Sequence, residues 1–372
     1  MFAYELFTNS RKLKDSKIKK LKKILLDTGF KNKNLIQYHD GQVNDVRLCI
    51  EIAMEAKSLG AKVFNYMQFN SAKLVDDKWE IETEDLIQNK KYIVSAEHLI
   101  NVSGASVLDV HKRANLKWSE SWPAVTFSTG VHLYFDYKWP EAGLILPAEK
   151  KGRYYFVLPT FSPYKSGVLV GTTDTKVENG TCYPEPTEGE VNQIMSLLKR
   201  DLPQLGELKP HKIISGMRVL AGGGQSSHKL DRKEKILLEK NYVTILSGKY
   251  TTARASAKKI LEQLLDIKIS VNDLVLSNSK GYSTLEVESL GSDLELEKQA
   301  ARLRFGEIGS GKKKFNISNL ENLISDQIQY CLDNEDAFFW EDIFDRRLNV
   351  DCISNEHKIH KAYSSIKASY FK

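Results

Sequence analysis

Residues 247–258 read SGKYTTARASAK, and this stretch decides how the chain around it is expected to fold. The apolar run YVTIL, residues 242–246, comes directly before it. A pattern with apolar residues on one helical face follows it. The stretch therefore predicts a strand, a tight turn at Gly248 and then a helix. The first backbone N–H groups of such a helix can bind an anion or an electron-rich ring edge.

The polar side chains of this turn have two interpretations. Lys249, Thr251 and Thr252 would add donors to the backbone N–H groups if a ligand bound there. The hydroxyl groups could equally cap the helix of an ordinary strand–helix connection that binds nothing. The stretch alone favours the second interpretation, so the decision depends on the rest of the chain.

Length and composition indicate a globular protein of two or three domains. The chain has 372 residues, of which 41% are hydrophobic and 27% are charged, and this length is ample for burying a core. No apolar run approaches the roughly 18 residues of a membrane-spanning helix. The N-terminus turns basic and polar at once, unlike a secretory leader. We expect a cytoplasmic protein, and peripheral attachment to the cytoplasmic face of a membrane stays open.

Charge and cysteine usage narrow the classes of partner. A net charge of +6 favours anionic partners. The basic runs are short and lack interleaved aromatic residues, so nucleic acid is a poor candidate, and a phosphorylated substrate or an anionic membrane surface is a better one. The cysteines lack the spacing of metal or redox sites, and we expect reduced thiols and no metal site. They are Cys49, Cys182, Cys331 and Cys352.

The first third of the chain alternates helical and strand patterns. Residues 38–48, YHDGQVNDVRL, predict a turn followed by a helix that starts at Asn44 and Asp45. Residues 61–67, AKVFNYM, predict a strand, and residues 71–96 predict an antiparallel meander. Another apolar strand ends at the small residues 103–106, which would let a ligand approach the backbone closely.

The middle of the chain is strand-rich and its end is helical. The aromatic, strand-like run 122–137 is followed by further strands, one of which leads into GTTD, residues 171–174. Thr187 and Glu190 form a capping box that starts a helix. From about residue 283 helical periodicity dominates, which predicts a separate helical domain.

Two side chains in predicted strands are candidates for a functional role. His132 is flanked by Leu133 and Tyr134, and a histidine in that position is usually part of a satisfied core. Arg218 lies inside the apolar strand 213–220, where a guanidinium needs either an internal carboxylate or a ligand anion. The sequence favours neither the internal carboxylate nor the ligand anion as the partner of Arg218. Asp174 either belongs to a simple turn or orients a basic group in a cleft.

Seven short motifs, in this order, resemble the FAD-dependent glycerol-3-phosphate dehydrogenases. The likeness extends from about residue 3 to the C-terminus, where NEDAFFWEDIFDRRL (334–348) is similar to the family's C-terminal helical domain. The motifs are YHDGQVNDVRL (38–48), NVSGAS (101–106), STGVHL (128–133), GTTD (171–174), SGMRVL (215–220), DRKEKI (231–236) and SGKYTTAR (247–254).

The resemblance implies a fold of the α/β and α+β classes in four parts. An incomplete FAD-binding domain of the glutathione-reductase type would cover residues 36–110 and 240–268. An antiparallel-sheet domain that binds the substrate would cover residues 111–239. A C-terminal helical domain would cover residues 283–372, and an N-terminal helical segment would cover residues 1–35.

The resemblance also implies roles for individual residues. Arg218 and Arg232 would hold the substrate phosphate. His132 would act as the base for the C2 hydroxyl proton while hydride passes to the flavin. Lys249 would lie against the flavin or stabilise negative charge on the developing ketone oxygen. The residues expected to contact FAD are Ser103, Gly104, Gly248, Lys249, Thr251 and Thr252.

The implied reaction oxidises sn-glycerol 3-phosphate to dihydroxyacetone phosphate and passes the electrons to a quinone. Family members begin with a strand, a G-x-G-x-x-G turn and a helix that bind the FAD pyrophosphate, and this sequence lacks that unit. We therefore expect an N-terminally truncated chain, with a separate polypeptide supplying the unit. The alternatives are an inactive remnant, a non-catalytic subunit that binds a phosphorylated ligand or a partner, and a glycerol-3-phosphate oxidase.

Overall fold

The computed structural model describes residues 43–137, 143–149, 152–160, 167–223, 233–270 and 318–348, together with residues 23, 41, 139, 230, 298, 301, 305, 315, 316, 362, 364 and 366. The predicted N-terminal segment 1–35 lies outside the described residues except for Lys23, which is helical. Most of the predicted C-terminal domain before residue 318 also lies outside them.

Helices and strands alternate along the described chain. The helices are α1 (Asp45–Ser58), α2 (Val107–Arg113), α3 (Glu188–Asp201), α4 (Pro203–Gly206), α5 (Ala253–Leu265) and α6 (Leu320–Asn334). The strands are β1 (Met67–Val75), β2 (Lys78–Asp85), β3 (Lys90–Ala96), β4 (Leu99–Asn101), β5 (Val125–Phe135), β6 (Leu144–Pro147), β7 (Tyr154–Thr160), β8 (Gly167–Gly171), β9 (Thr175–Val177), β10 (Lys212–Ala221), β11 (Lys235–Glu239) and β12 (Tyr242–Leu246).

Helix α1 begins where its sequence predicts. The side chain of Asn44 accepts a hydrogen bond from the backbone N–H of Arg47 at 3.0 Å and so caps the helix. Asp45 in the first turn and Lys57 in the last turn suit the two ends of the helix dipole. The helix end therefore has a fixed position, and its first turn faces the site described below.

The predicted meander is confirmed as a three-stranded antiparallel sheet in the order β1-β2-β3. Asp76 and Asp77 form the first turn with φ angles of 48° and 60°, which aspartate tolerates better than most residues. The strand predicted over residues 61–67 is wrong, since regular structure begins only at Met67. Within the described residues no strand pairs with 61–66, and extended backbone without a paired neighbour is not stabilised as a strand.

A second sheet joins the two segments that the sequence assigns to the cofactor. Its order is β11-β12-β4, and β12 runs parallel to β4, with Tyr242 opposite Leu99 and Thr244 opposite Asn101. Parallel strands end at the same edge of a sheet. The turns after residue 101 and after residue 246 therefore leave the sheet side by side.

A larger sheet has the order β10-β5-β8-β7-β6, and β9 also pairs with β5. One face of β5 carries Val131, Leu133 and Phe135, which are fully buried in a cluster with residues of α3. The predicted capping box of Thr187 and Glu190 is confirmed at the start of α3. Helix α3 thus covers one face of the sheet.

A buried ion network attaches the C-terminal region to α1. Arg47 donates to Glu51 at 3.0 Å and to Glu335 at 2.9 Å, and all three side chains are buried. Burial lowers the pKa of Arg47, but the hydrogen bonds and charges of Glu335 and Glu51 outweigh it and hold the pKa above its ordinary value. Because Glu335 caps the C-terminus of α6, the network joins that helix to α1. Among the described residues, no helix is long and apolar enough to cross a membrane.

We predict that Arg47→Ala lowers the free energy of unfolding by about 3–5 kcal/mol, because it removes the cation that is hydrogen-bonded to two buried carboxylates. Urea denaturation measures this change. The control is Lys73→Ala, which removes an exposed ion pair with Glu80 and should cost less than about 1 kcal/mol. If both substitutions change the free energy of unfolding by the same small amount, the network does not stabilise the fold as proposed.

Candidate active site

The candidate site lies on the face of the large sheet that α3 does not cover. Gly130 of β5 pairs with Gly216 of β10, and His132 and Arg218 lie two residues away on opposite sides of this pair. Since side chains alternate along strands, all four residues share one face. Among the described residues, no atom lies within 4 Å of a Cβ atom added at Gly216, and Gly216 is exposed. The sheet surface over Gly216 is therefore open beside the imidazole and the guanidinium.

The guanidinium of Arg218 lies over Gly130. A Cβ atom at Gly130 would stand 2.6 Å from Cζ of Arg218, so a side chain there would displace the guanidinium. Arg218 donates from Nη1 to the backbone oxygen of Thr129 at 3.0 Å and from Nη2 to the hydroxyl of Thr172 at 2.6 Å. Its side chain remains 26% exposed. The guanidinium is thus held in place and still reaches the open surface.

Asp174 provides an internal carboxylate within ion-pair distance of Arg218, as one of the two interpretations of this arginine expects. Nη1 of Arg218 lies 3.9 Å from Oδ1 of Asp174, whose side chain is 3% exposed. The other oxygen of Asp174 accepts a hydrogen bond from Arg153. Sequence reasoning raised Asp174 as a residue that could orient a basic group, and it missed Arg153. The available signal was an arginine directly before an apolar strand that precedes GTTD in the chain.

His132 packs against a glycine on its other side. It pairs with Gly171 of β8, where an added Cβ would stand 2.5 Å from Cδ2 of the imidazole. Burial lowers the pKa of His132, and the positive charge of Arg218 lowers it further, while Asp45 opposes both. The imidazole is therefore neutral at neutral pH and can accept a proton.

The next residues of the GTTD loop connect the site to α3. The hydroxyl of Thr173 accepts from the backbone N–H of Val131 at 2.9 Å and donates to Glu190 at 3.1 Å. Burial raises the pKa of Glu190, but hydrogen bonds from Thr129 and Thr187 outweigh it and lower the pKa overall. This ionised carboxylate fixes the backbone on both sides of the guanidinium of Arg218.

The two predicted cofactor turns meet at the edge where β4 and β12 end. Gly104 has a φ of 56° and Gly248 a φ of 112°, values that favour glycine. In the part of the chain that the structure describes, nothing lies within 4 Å of a Cβ atom added at Gly104. The backbone N–H and hydroxyl of Ser103 donate to the side chain of Asn101 at 3.2 and 2.6 Å, which fixes the first turn. Ser247, just before Gly248, also has a positive φ, of 63°.

The second turn leads into α5 through a short 3-10 helix, Tyr250–Thr252. Lys249 and Thr251 are exposed. The backbone N–H and hydroxyl of Thr252 both donate to the carbonyl of Lys249, at 3.0 and 3.1 Å. Within the described residues, no side-chain hydrogen bond caps α5. The helix-capping interpretation of these hydroxyl groups is therefore not supported.

Helix α1 places its first turn between the two halves of the site. The phenol of Tyr250, next to Lys249, donates to the backbone oxygen of Asp45 at 2.7 Å. Asp45 is also close enough to His132 to affect its pKa. On the other side, Val219 packs on the cluster of Val107, Ala221 and Leu246, so the strand of Arg218 adjoins the turns. Arg232 lies outside the described residues.

The donor groups of these turns suit the ring of a flavin. Gly104 and Gly248 leave room for close approach, because among the described residues the nearest atom to an added Cβ at Gly248 is Cβ of Glu234, at 3.7 Å. Backbone N–H groups and Lys249 supply donors for ring oxygen and nitrogen atoms. The residues present therefore fit the ring-binding part of a flavin site.

Residues 3–259 match the sequence model of the FAD dependent oxidoreductase family. The chain belongs to this family. FAD is the cofactor of the family, and the fold of the chain is a FAD-dependent oxidoreductase fold with antiparallel sheets and helices. The resemblance to flavin-dependent enzymes that the motifs imply is thus confirmed.

Several curated relatives are named mitochondrial glycerol-3-phosphate dehydrogenase. The enzyme of Mus musculus is 29% identical over 292 residues, which are 72% of this chain and 38% of that protein. The enzyme of Arabidopsis thaliana is 31% identical over 276 residues, which are 70% of this chain and 41% of that protein. The chain thus spans about two fifths of the length of these relatives.

A solved structure has a similar fold. The glycerol-3-phosphate dehydrogenase of Bacillus halodurans, complexed with FAD, superposes with a TM-score of 0.69 at 20% sequence identity. The match covers 89% of this chain and 69% of that one. At this identity the likeness concerns the fold alone.

We predict that Gly171→Ala lowers the free energy of unfolding by about 1–3 kcal/mol, because its Cβ would stand 2.8 Å from the backbone oxygen of Val131 as well as against His132. Thermal and urea unfolding measure the change. Gly216→Ala is the matched control, since its Cβ would enter open space, and it should be neutral or slightly stabilising. A Gly171→Ala protein as stable as the control would contradict the packing of the imidazole on this glycine.

Proposed function

We propose that the chain provides the substrate site and the flavin-ring site of a FAD-dependent glycerol-3-phosphate dehydrogenase. The reaction is the oxidation of sn-glycerol 3-phosphate to dihydroxyacetone phosphate. The observation that carries this proposal is the placement of His132 and Arg218 on one sheet face, on either side of the Gly130–Gly216 pair, of which Gly216 is exposed. The names of the relatives support the choice of substrate.

Arg218 binds the phosphate in this proposal. Its planar guanidinium suits the bidentate recognition of a phosphate, and partial burial strengthens the interaction relative to water. Thr129 and Thr172 hold the guanidinium from behind, so its orientation needs little reorganisation when the substrate binds. Arg232, which the resemblance assigns to the same phosphate, is proposed as the second cation.

His132 accepts the proton of the C2 hydroxyl. A neutral imidazole is the form required, and the environment of His132 favours that form. FAD, when bound, supplies the acceptor for the hydride that leaves C2. Lys249 stabilises the negative charge that develops on the C2 oxygen. The residues proposed to hold the ring are Ser103, Gly104, Gly248, Thr251 and Thr252.

The resemblance is the basis for the proposed electron acceptor and for the proposed cellular location. We propose a quinone as acceptor and peripheral attachment to a membrane, with the cytoplasmic side as the predicted location. The relatives from Mus musculus and Arabidopsis thaliana are named as mitochondrial enzymes.

The decisive experiment is a visible absorption spectrum of the purified protein, reconstituted with FAD and then titrated anaerobically with glycerol 3-phosphate. A flavin band that bleaches on titration supports the proposal. A colourless protein that also fails reconstitution would contradict it and favour the non-catalytic alternatives. A band that bleaches and returns on admission of oxygen, with peroxide formed at the catalytic rate, would favour an oxidase.

We predict that Arg218→Leu weakens the binding of glycerol 3-phosphate by about 1.5–3 kcal/mol, the usual contribution of a hydrogen bond to a charged group. Calorimetric titration measures the dissociation constant. Arg113→Leu, on the exposed side of α2, is the control and should bind like the wild type. Unchanged binding by the Arg218→Leu protein would remove this arginine from the site.

We predict that activity falls at acidic pH with a midpoint below 6.5, the ordinary pKa of histidine. The lowered pKa of His132 keeps the imidazole neutral, and therefore active, at pH values where an exposed histidine is already protonated. Substituting His132 by Asn should remove this acidic limb and reduce kcat by about 10²–10⁴-fold. A midpoint above 6.5, or an acidic limb that survives in the Asn variant, would exclude His132 as the base.

A further inference from the structure

A chain of buried hydrogen bonds runs from the turn after β4 into the small sheet. The side chain of Asn101, the last residue of β4, accepts bonds at Oδ1 from the backbone N–H and the hydroxyl of Ser103, at 3.2 and 2.6 Å. Its Nδ2 donates to the backbone oxygen of Val107 and to the phenol of Tyr242, both at 3.0 Å. The phenol oxygen of Tyr242 lies 3.1 Å from Nδ1 of His111.

The backbone groups in this chain fix the direction of its hydrogen bonds. A backbone N–H can only donate and a backbone carbonyl can only accept, so the contacts with Ser103 and Val107 assign Oδ1 and Nδ2 of Asn101. Tyr242 therefore accepts from Nδ2, and its own proton is donated to Nδ1 of His111. Burial lowers the pKa of His111, so the imidazole is neutral and carries its proton on Nε2.

The side chains of this network have little freedom to reorient. Asn101, His111 and Tyr242 are 2%, 3% and 1% exposed. A buried amide or phenol that loses its hydrogen-bond partner is costly. The ring of His111 also packs edge-on against Trp118 and Trp122, at centroid distances of 5.0 and 5.5 Å. The amide of Asn101 is thus oriented from the side of the network that is remote from the turn.

The same amide affects both turns of the proposed flavin site. Its bond to Val107 closes the segment between β4 and α2, and so holds the backbone at Ser103 and Gly104. Val107 also packs against Leu246, the residue directly before the second turn. A rotation of the Asn101 amide would therefore move the first turn and loosen its contact with the second.

We propose that Asn101 is a positioning residue that holds the turn at Ser103 and Gly104 for the flavin ring, and that Tyr242 and His111 fix the orientation of its amide. Tyr242 and His111 act through Asn101. The inference rests on the proposed function of the site, which it deepens.

The test measures the dissociation constant of FAD, by flavin fluorescence, for wild type, Asn101→Ala, Tyr242→Phe and the double variant. Tyr242→Phe removes only the hydroxyl and should raise the dissociation constant about 5- to 30-fold, and Asn101→Ala should raise it further. The double variant should match Asn101→Ala within about twofold, because Tyr242 acts through the amide. Effects that multiply in the double variant, or unchanged affinity of Tyr242→Phe, would overturn the inference.

Tyr155→Phe is the matched control. Tyr155 is fully buried on the side of the large sheet that α3 covers, and its phenol donates to Asp201 at 2.8 Å. Both Phe variants lose one buried hydrogen bond, so both should unfold at a lower temperature, but only Tyr242→Phe should bind FAD more weakly. If the two variants bind FAD equally well, the role of Tyr242 is structural and the inference fails.

Hydrogen exchange separates failure of this inference from failure of the proposed function. In the protein without FAD, mass spectrometry should show about tenfold faster exchange of the amides of residues 102–107 in Tyr242→Phe, and unchanged exchange in Tyr155→Phe. This measurement needs neither flavin nor substrate, and it remains decisive if Asn101→Ala does not fold.

The two outcomes are distinct. If the exchange follows this prediction while the wild type does not bind FAD or does not oxidise glycerol 3-phosphate, the proposed function fails and the role of Asn101 in the turn stands. If the wild type oxidises glycerol 3-phosphate and wild type, Tyr242→Phe and Tyr155→Phe exchange alike, the role of the network fails.

Discussion

A cation held on an open sheet surface is the feature on which the rest of the site depends. The guanidinium of Arg218 occupies the space over Gly130 and is fixed by Thr129 and Thr172. A partly buried positive charge is costly unless anionic or polar groups compensate it. Asp174, whose Oδ1 lies 3.9 Å from Nη1 of Arg218 and whose Oδ2 pairs with Arg153, is one of the groups that compensate it. In the proposed function the phosphate of the substrate binds to the same guanidinium.

The two sheets bring this cation to the cofactor turns by different means. The large sheet sets the distance between His132 and Arg218 through strand register, and α3 holds its other face rigid. The small sheet aligns the turns at Gly104 and Gly248 because β4 and β12 are parallel. Helix α1 then connects them through the bond from Tyr250 to its first turn. Each part positions backbone atoms, which move less than side chains do.

Local sequence patterns predict most of the helices and strands, but they predict the candidate site only in part. The strand, turn and helix around residue 248 follow from local periodicity, and the capping box of α3 follows from residue spacing. His132 and Arg218 share one sheet face because of the register in which β5 and β10 pair. These strands are distant in the chain, so local patterns do not predict that register. The ion pair of Arg153 and Asp174 depends on the same kind of long-range pairing. The strand predicted over 61–67 was wrong because periodicity does not report whether a partner strand is present.

The most direct test of the account is a crystal structure of the protein with FAD and glycerol 3-phosphate bound. The account predicts the phosphate within hydrogen-bond distance of Arg218, C2 beside the imidazole of His132, and the flavin ring against the turns at Gly104 and Gly248. A phosphate bound elsewhere, with the surface over Gly216 empty or filled by protein, would contradict it.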